Sequence, residues 1–254
     1  IKKKIQDINE IKFSKIRGIF HLAAQSSVPI SIKNFNKSST NNFSSSLKVF
    51  DLAKKFSVPV VYASSSAVYG HLTIGKDYLK KYSITSPYAL DKLTAENYAK
   101  MCHHIFDISS VGLRLFNIYG PGQDPSNPYS AVIPKFIKRM KKNLPVIING
   151  GYQTRDFVFI DDVIKILILS MKKIQLKKNC KVLNVGTGRS ISINYLYKVI
   201  KNQLDSKSKF KKRKLEKFDP KKSSCSVKML NNFLNLKKSF FTKLEAGIQK
   251  TTNF

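Results

Sequence analysis

Four runs of apolar residues are each closed by small or polar side chains, and longer stretches between them place apolar residues at helical spacing. Gly18–Ala24, Val58–Ser64 and Ser110–Phe116 are continuous enough to be strands buried on both faces, and Lys181–Val185 reads as a fourth. Phe43, Leu47, Phe50, Leu52 and Ala53 predict a helix over Asn42–Phe56. Ser86-Pro87 opens a second helix, with serine as cap and proline in the first turn, running to about Phe106. Strands alternating with helices of this length predict an α/β fold with a doubly wound parallel sheet.

After Asn117 the rhythm changes. Tyr119–Pro128 holds two glycines and three prolines and reads as loop. Helices are expected over 131–142, 161–171 (with an acidic first turn), 193–203 and 244–251, and a strand over 146–148. Lys207–Lys217 reads as a lysine-rich, solvated surface loop. The expected division is a sheet domain from 1–118 and 159–189, and a smaller α+β domain from 119–158 and 190–254.

The chain has 254 residues and a formal net charge of +31. Such a charge first suggests nucleic acid or an anionic membrane. Only Arg17, Arg114, Arg139, Arg155, Arg189 and Arg213 among the basic residues are arginines; the rest are lysines. Nucleic-acid readers favour the bidentate guanidinium, whereas Lys, Asn and Ile together mark an AT-rich gene. A nucleic-acid partner is therefore not expected, and part of the charge is left to attract an anionic diphosphate. Cys102, Cys180 and Cys225 have no metal-like or paired spacing. They are expected to be idle thiols in a reducing cytoplasm. The longest apolar run, Phe157–Met171, is broken by Asp161, Asp162 and Lys165 and cannot cross a membrane.

The candidate chemistry begins at Tyr88 and Lys92. Four apart, they share a helix face, and an ammonium beside a phenol favours the phenolate, turning a weak acid of pKa ~10 into a general base. An exposed pair is the plain alternative in a lysine-rich chain. Ser64-Ser65-Ser66 follows a predicted buried strand, at the end where open parallel sheets place ligands. A hydroxyl there can bond a substrate oxygen; an ordinary serine-rich turn is the alternative. His21, Phe116 and Phe157 pattern as packed residues.

Six segments in order, His21–Gln25, Ser64–Gly70, Tyr88–Lys92, Arg114–Pro121, Thr154–Asp162 and Asn184–Gly188, resemble the extended short-chain dehydrogenase/reductase family, and within it the nucleotide-sugar 4-epimerases. The resemblance implies a Rossmann-type sheet, NAD as cofactor and a UDP-sugar as substrate. It implies Tyr88 as catalytic base, Lys92 as its partner on the nicotinamide ribose, and Ser65, with Ser66 as alternative, as the hydroxyl bridging to the sugar. Ala23, Ala24, Gln25, Asn42, Ser64 and Phe116 would lie on the cofactor side. Asn117, Ile133, Asn149, Arg155 and Ser226 would meet the substrate, with Arg155 as the fork on the diphosphate. Capping or turn chemistry is the alternative for Asn42 and Asn117, and an ion pair with Asp156 or Asp161 for Arg155. A homodimer through helices 42–56 and 87–106 is also implied.

The match departs from the family at two places. The family opens with a strand and a Gly-x-x-Gly-x-x-Gly turn that brings backbone N–H groups to the pyrophosphate. Here the first glycine is Gly18, ahead of a later strand, Lys4 stands where relatives carry an acidic residue near the adenine, and the chain begins at Ile1. The expectation is an N-terminally truncated sheet without its first βαβ unit, binding NAD more weakly than the same chain extended upstream. Near the C-terminus Asp219–Lys222 replaces an expected arginine, with Lys221 or Lys222 as substitute charges.

Three chemistries share this framework. The 4,6-dehydratases add an Asp-Glu pair after the catalytic hydroxyl, and here Ser66 and Ala67 occupy those positions. A 4-epimerase needs no such pair and is the expected activity, on UDP-glucose or UDP-N-acetylglucosamine; a small Ser226 would leave room for an N-acetyl group. A dehydratase, a decarboxylase and a non-catalytic nucleotide-binding relative remain as alternatives.

Overall fold

A computed structural model describes residues 4–8, 15–125, 132–215, 220–237 and 239–254. The predicted loop and helix start at 126–131, the end of the lysine-rich stretch at 216–217, and Asp219 lie outside the described residues. In chain order the strands are β1 (Ile19–His21), β2 (Val60–Ser65), β3 (Ile74–Gly75), β4 (Ser110–Leu115), β5 (Asn117–Tyr119), β6 (Val146–Asn149), β7 (Thr154–Arg155), β8 (Phe157–Phe159), β9 (Cys180–Val185), β10 (Ile191–Ser192), β11 (Phe210–Arg213) and β12 (Ser224–Cys225). The helices are α1 (Val28–Lys33), α2 (Phe35–Phe56), α3 (Pro87–Phe106), α4 (Val132–Met140), α5 (Ile160–Leu176), α6 (Ile193–Gln203), α7 (Lys228–Leu234) and α8 (Leu244–Thr252). Among the described residues no helix is long and apolar enough to cross a membrane.

The chain forms two compact units: residues 1–70, 82–115 and 166–183, and residues 71–81, 116–165 and 184–254. The four expected strands form one sheet in the order β1-β2-β4-β9. β1 pairs parallel with β2, and β2 parallel with β4. In the first unit α2 and α3 pack together, and Val49, Phe50 and Ala53 of α2 meet Val60 and Tyr62 of β2 and Ala99 and Cys102 of α3 in one core. The continuous apolar run in β2 is what a central parallel strand requires. Opposite Tyr62 the register puts Gly112, where an added Cβ would stand 2.4 Å from the tyrosine oxygen. Gly112→Ala is therefore expected to cost about 1–3 kcal/mol by overpacking, read as a lower urea midpoint; an unchanged midpoint would count against this packing.

Ser86 caps α3 as its sequence predicts: its hydroxyl accepts from the Ala89 N–H at 3.2 Å, and Pro87 fills the first turn. The helix stops where Asp107 turns left-handed, φ 54°. In the second unit Tyr119, Ile133, Phe136, Ile148, Phe157, Leu196 and Ile248 form a separate core.

Two local expectations need correction. The helix predicted from Asn42 starts at Phe35 and is preceded by the short α1, because packing on neighbouring elements holds a segment rich in Ser, Thr and Asn that has little helical propensity of its own. The stretch 207–217 is not all loop: Phe210–Arg213 is a strand, parallel to β6, with all four residues exposed. The backbone ladder makes this strand, and its side chains stay in water as the lysines predicted.

Candidate active site

The end of β2 and one face of α3 carry the candidate chemistry. Tyr88, Lys92 and Glu96 are one turn apart on α3, and all three are buried. Each meets a consecutive residue of β2. The Lys92 ammonium donates to the Ala63 carbonyl at 2.7 Å. The Ser64 hydroxyl donates to Glu96 Oε1 at 2.5 Å. The Ser65 hydroxyl lies close enough to the Tyr88 phenol to lower its pKa. Ser65 also accepts from the Ala67 N–H at 3.1 Å, capping the short 3-10 turn Ser66–Tyr69.

The electrostatics differ from the expectation at Tyr88. Burial raises its pKa above the usual phenol value, and the Ser65 hydroxyl pulls it down. Lys92 does not reverse this, because its ammonium turns to Ala63 and stands 5.8 Å from the ring centroid. Burial lowers Lys92 itself to about 8, opposed by Asp91. The ammonium has three donors, of which Ala63 takes one.

Asn42 is buried on α2 and accepts from the Gln25 N–H at 2.8 Å. Its amide donates to the Gln25 carbonyl at 3.1 Å and to Asp91 at 3.3 Å. Both ends of the side chain thus hold the turn Ala23-Ala24-Gln25 that follows β1. Ser64 is equally committed, since its hydroxyl is spent on Glu96. The group here with donors left for a ligand is the Lys92 ammonium. That donor set fits the ribose end of a dinucleotide.

His21 ends β1 with Nε2 3.2 Å from the Ser46 hydroxyl. Burial, helped by Lys92, lowers its pKa to about 4. The unfolded chain takes up this proton near pH 6.5 and the folded chain only near pH 4, so the stability from neutral His21 is complete above pH 6.5 and drains away as pH falls to 4. The expected loss is about 1–3 kcal/mol, and His21→Gln should flatten the difference in urea midpoint between pH 7 and pH 4.5. Parallel slopes for the two proteins would contradict this.

The second unit brings Asn117, Ile133, Asn149 and Arg155 to one cavity of about 300 Å³, together with Lys135 and Gln153. That is the lower end of the range for small-molecule sites. Asn117 donates its side-chain amide to the Asp156 carbonyl at 3.0 Å. Arg155 donates to the Thr154 carbonyl at 2.7 Å. Ser226 is not among the lining residues; its backbone joins Gly75 and Asn184. Phe116 is buried in this second unit. The 221–223 segment runs beside Thr154, with the Thr154 N–H on the Lys221 carbonyl and the Ser223 N–H on the Thr154 carbonyl, so Lys221 and Lys222 neighbour the strand that carries Arg155.

Two buried networks were not foreseen. The Asp156 carboxylate is fully buried and accepts from the Thr187 N–H and hydroxyl, the Gly188 N–H and the Cys225 thiol, at 2.7–3.3 Å. Burial raises its pKa against these bonds. The sequence signal was the Thr187-Gly188 turn, which has free N–H groups to offer. Asp161 lies 3.9 Å from Lys250. The second network joins Glu96 to Arg114, Tyr69 and Tyr82. Among the described residues no cluster of His, Cys, Asp or Glu could hold a metal.

Comparison with known proteins gives a consistent picture. The profile of the NAD dependent epimerase/dehydratase family matches residues 3–186. A Methanocaldococcus jannaschii protein provisionally named UDP-glucose 4-epimerase is 34% identical over 206 residues, 78% of this chain and 65% of its own length. The UDP-glucuronate 4-epimerase of Thermodesulfobacterium geofontis is 30% identical over 243 residues, 94% of this chain and 72% of its own. Among solved structures, a UDP-N-acetylglucosamine 4-epimerase from Methanobrevibacter ruminantium M1, in complex with UDP-N-acetylmuramic acid, superposes with a TM-score of 0.91 at 33% identity, covering 100% of this chain and 81% of that one.

Proposed function

Because the chain belongs to the NAD-dependent epimerase/dehydratase family, we propose that it inverts C4 of a UDP-sugar, UDP-glucose or UDP-N-acetylglucosamine. The family also contains nucleotide-sugar dehydratases and decarboxylases. The observation that disfavours a dehydratase is that, among the described residues, no acid beside Ser65 is disposable. Ser66 and Ala67 follow it, and the buried carboxylates of α3 are engaged, Asp91 by Asn42 and Glu96 by Arg114 and Ser64. Eliminating water from C5–C6 needs an acid and a base there. Inverting C4 needs one proton taken and returned.

In this reading the Ser65 hydroxyl bonds the sugar's 4-oxygen and Tyr88 receives its proton, then gives it back after the 4-keto sugar has presented its other face. NAD+, when bound, supplies the hydride acceptor and a positive ring that favours the phenolate. Lys92 holds the cofactor's ribose with its remaining donors and keeps positive charge near the phenol. Arg155, Asn117, Asn149 and Ile133 take the nucleotide diphosphate. The substrate panel follows directly: with NAD present, NMR should show UDP-glucose and UDP-N-acetylglucosamine each converted to the 4-epimer. A 4-keto-6-deoxy product or carbon dioxide would overturn the assignment. Turnover of UDP-glucose alone would remove the N-acetyl sugar from it.

The reading includes a homodimer through α2 and α3. Phe35 (65% exposed), Leu90 (53%) and Ile84 (39%) line an apolar groove between these helices. Apolar surface gathered in this way marks an interface. Leu90→Asp is expected to give monomers in sedimentation velocity where the parent chain sediments as a dimer. A monomeric parent would contradict it.

A further inference from the structure

Arg114 and Glu96 form an ion pair with side chains 2% and 0% exposed. Their bonds are bidentate: Arg114 Nε to Glu96 Oε1 at 2.8 Å and an η-nitrogen to Oε2 at 2.6 Å. The guanidinium also donates to the phenol oxygens of Tyr69 (2.7 Å) and Tyr82 (3.3 Å), and its carbon stands 5.1 Å from each ring centroid. A buried ion pair is weak evidence for stability, since well-packed apolar residues often do as well. What this pair does in addition is geometric. Ser64 is register-paired with Arg114 across β2 and β4, and its hydroxyl donates to Glu96. Glu96 lies one turn beyond Lys92 and two beyond Tyr88. The strand residue next to the Ser65 hydroxyl is therefore pinned to the helix that carries the phenol.

We propose that Ser64, Glu96 and Arg114 are positioning residues that lock α3 in register on β2, so that the Ser65 hydroxyl stays within reach of the Tyr88 phenol. The proposal rests on the reading of Tyr88 as the proton-exchanging group. Without the lock, the strand end and the helix are free to shift by a fraction of an ångström, and an offset near 1 Å in such a pair can cost about 10²-fold in rate. Charged groups near Tyr88 are Lys92 and Asp91 on its own helix, with Asn42 of α2 on Asp91 and neutral His21 on β1 near Lys92. The lock itself carries one positive and one negative charge and is neutral overall.

Ser64→Ala and Glu96→Asp test the lock without changing any charge: the first removes the hydroxyl, the second shortens the carboxylate's reach. Two readouts are needed. In 19F NMR of protein labelled uniformly with 3-fluorotyrosine, the Tyr88 resonance is identified by its loss in Tyr88→Phe. Its titration midpoint should rise by about half a pH unit or more in both variants, because the Ser65 hydroxyl that lowers it moves away from the phenol. In turnover, kcat should fall about 10-fold or more with KM and the UDP dissociation constant within about 2-fold. Glu96→Gln keeps the reach and removes the charge. A midpoint that moves only in Glu96→Gln would overturn the proposal in favour of a charge effect, and an unmoved midpoint in Ser64→Ala with unchanged kcat would overturn it outright. The 19F readout requires no turnover, so absence of epimerase activity refutes the proposed function while the phenol titration still decides the lock.

Discussion

Tyr88→Phe is expected to reduce kcat for C4 inversion by about 10²–10⁴-fold, the span of a general acid–base group, while leaving the protein folded and binding UDP as before. The substitution removes one oxygen from a residue 8% exposed, and the ring continues to fill its place. UDP binding should persist because its proposed contacts, Arg155, Asn117, Asn149 and Ile133, belong to the other unit. The pH dependence is part of the expectation. Burial raises the phenol's pKa, so the active phenolate is scarce at low pH and kcat should climb with pH, the rise levelling off where Lys92, lowered to about 8, begins to lose its charge. In Tyr88→Phe the rising limb should vanish. Stopped assays over pH 6–9 with a UDP calorimetry control decide it. A variant with near-parental kcat would mean that another group moves the proton.

Arg155→Ala is expected to weaken UDP-sugar binding by about 10- to 150-fold, the equivalent of the roughly 1.5–3 kcal/mol that a charge-assisted hydrogen bond contributes. The loss should appear in KM and in the UDP dissociation constant, with kcat little changed, because the diphosphate is bound alike before and during reaction. Arg155→Lys should recover only part, since an ammonium offers a point charge in place of a fork. Lys135 lines the same cavity and Lys221 and Lys222 flank the strand. A residual, salt-sensitive affinity is therefore expected in the alanine variant. Equal UDP affinity for parent and Arg155→Ala, measured by calorimetry at fixed salt, would remove the arginine from the diphosphate site.

Local chemistry was legible in the sequence wherever it was self-contained. Ser86-Pro87 announced α3 because cap and first turn depend on neighbouring residues alone, and the unbroken apolar runs announced β2 and β4 because both faces of those strands are covered. Strand β11 could not be read this way. Its hydrogen bonds go to β6, as in the Val146 N–H on Lys209 and the Gly150 N–H on Arg213, and its lysines carry no period-2 signal. The same distinction runs through the site. Tyr88 and Lys92 lie four apart on one helix and were visible. Glu96 and Arg114 are 18 residues apart, and only the register of α3 on β2 and β4 makes them partners. Asp156 was weighed as an ion-pair partner of Arg155, whereas its carboxylate turns to Thr187, Gly188 and Cys225. The direction of the Tyr88 shift was misread for a related reason: residue spacing gives the helix face, and only coordinates show that the Lys92 ammonium turns to Ala63 and that burial outweighs it.

UDP-glucose carrying deuterium at C4 tests the 4-epimerase reading most directly. With the chain and NAD present, NMR should show the 4-epimer accumulating with the label still on C4, since the hydrogen removed from one face returns to the same carbon on the other. Label found at C6 with loss of water, label lost to solvent, or no epimer from a preparation that binds UDP would contradict the account.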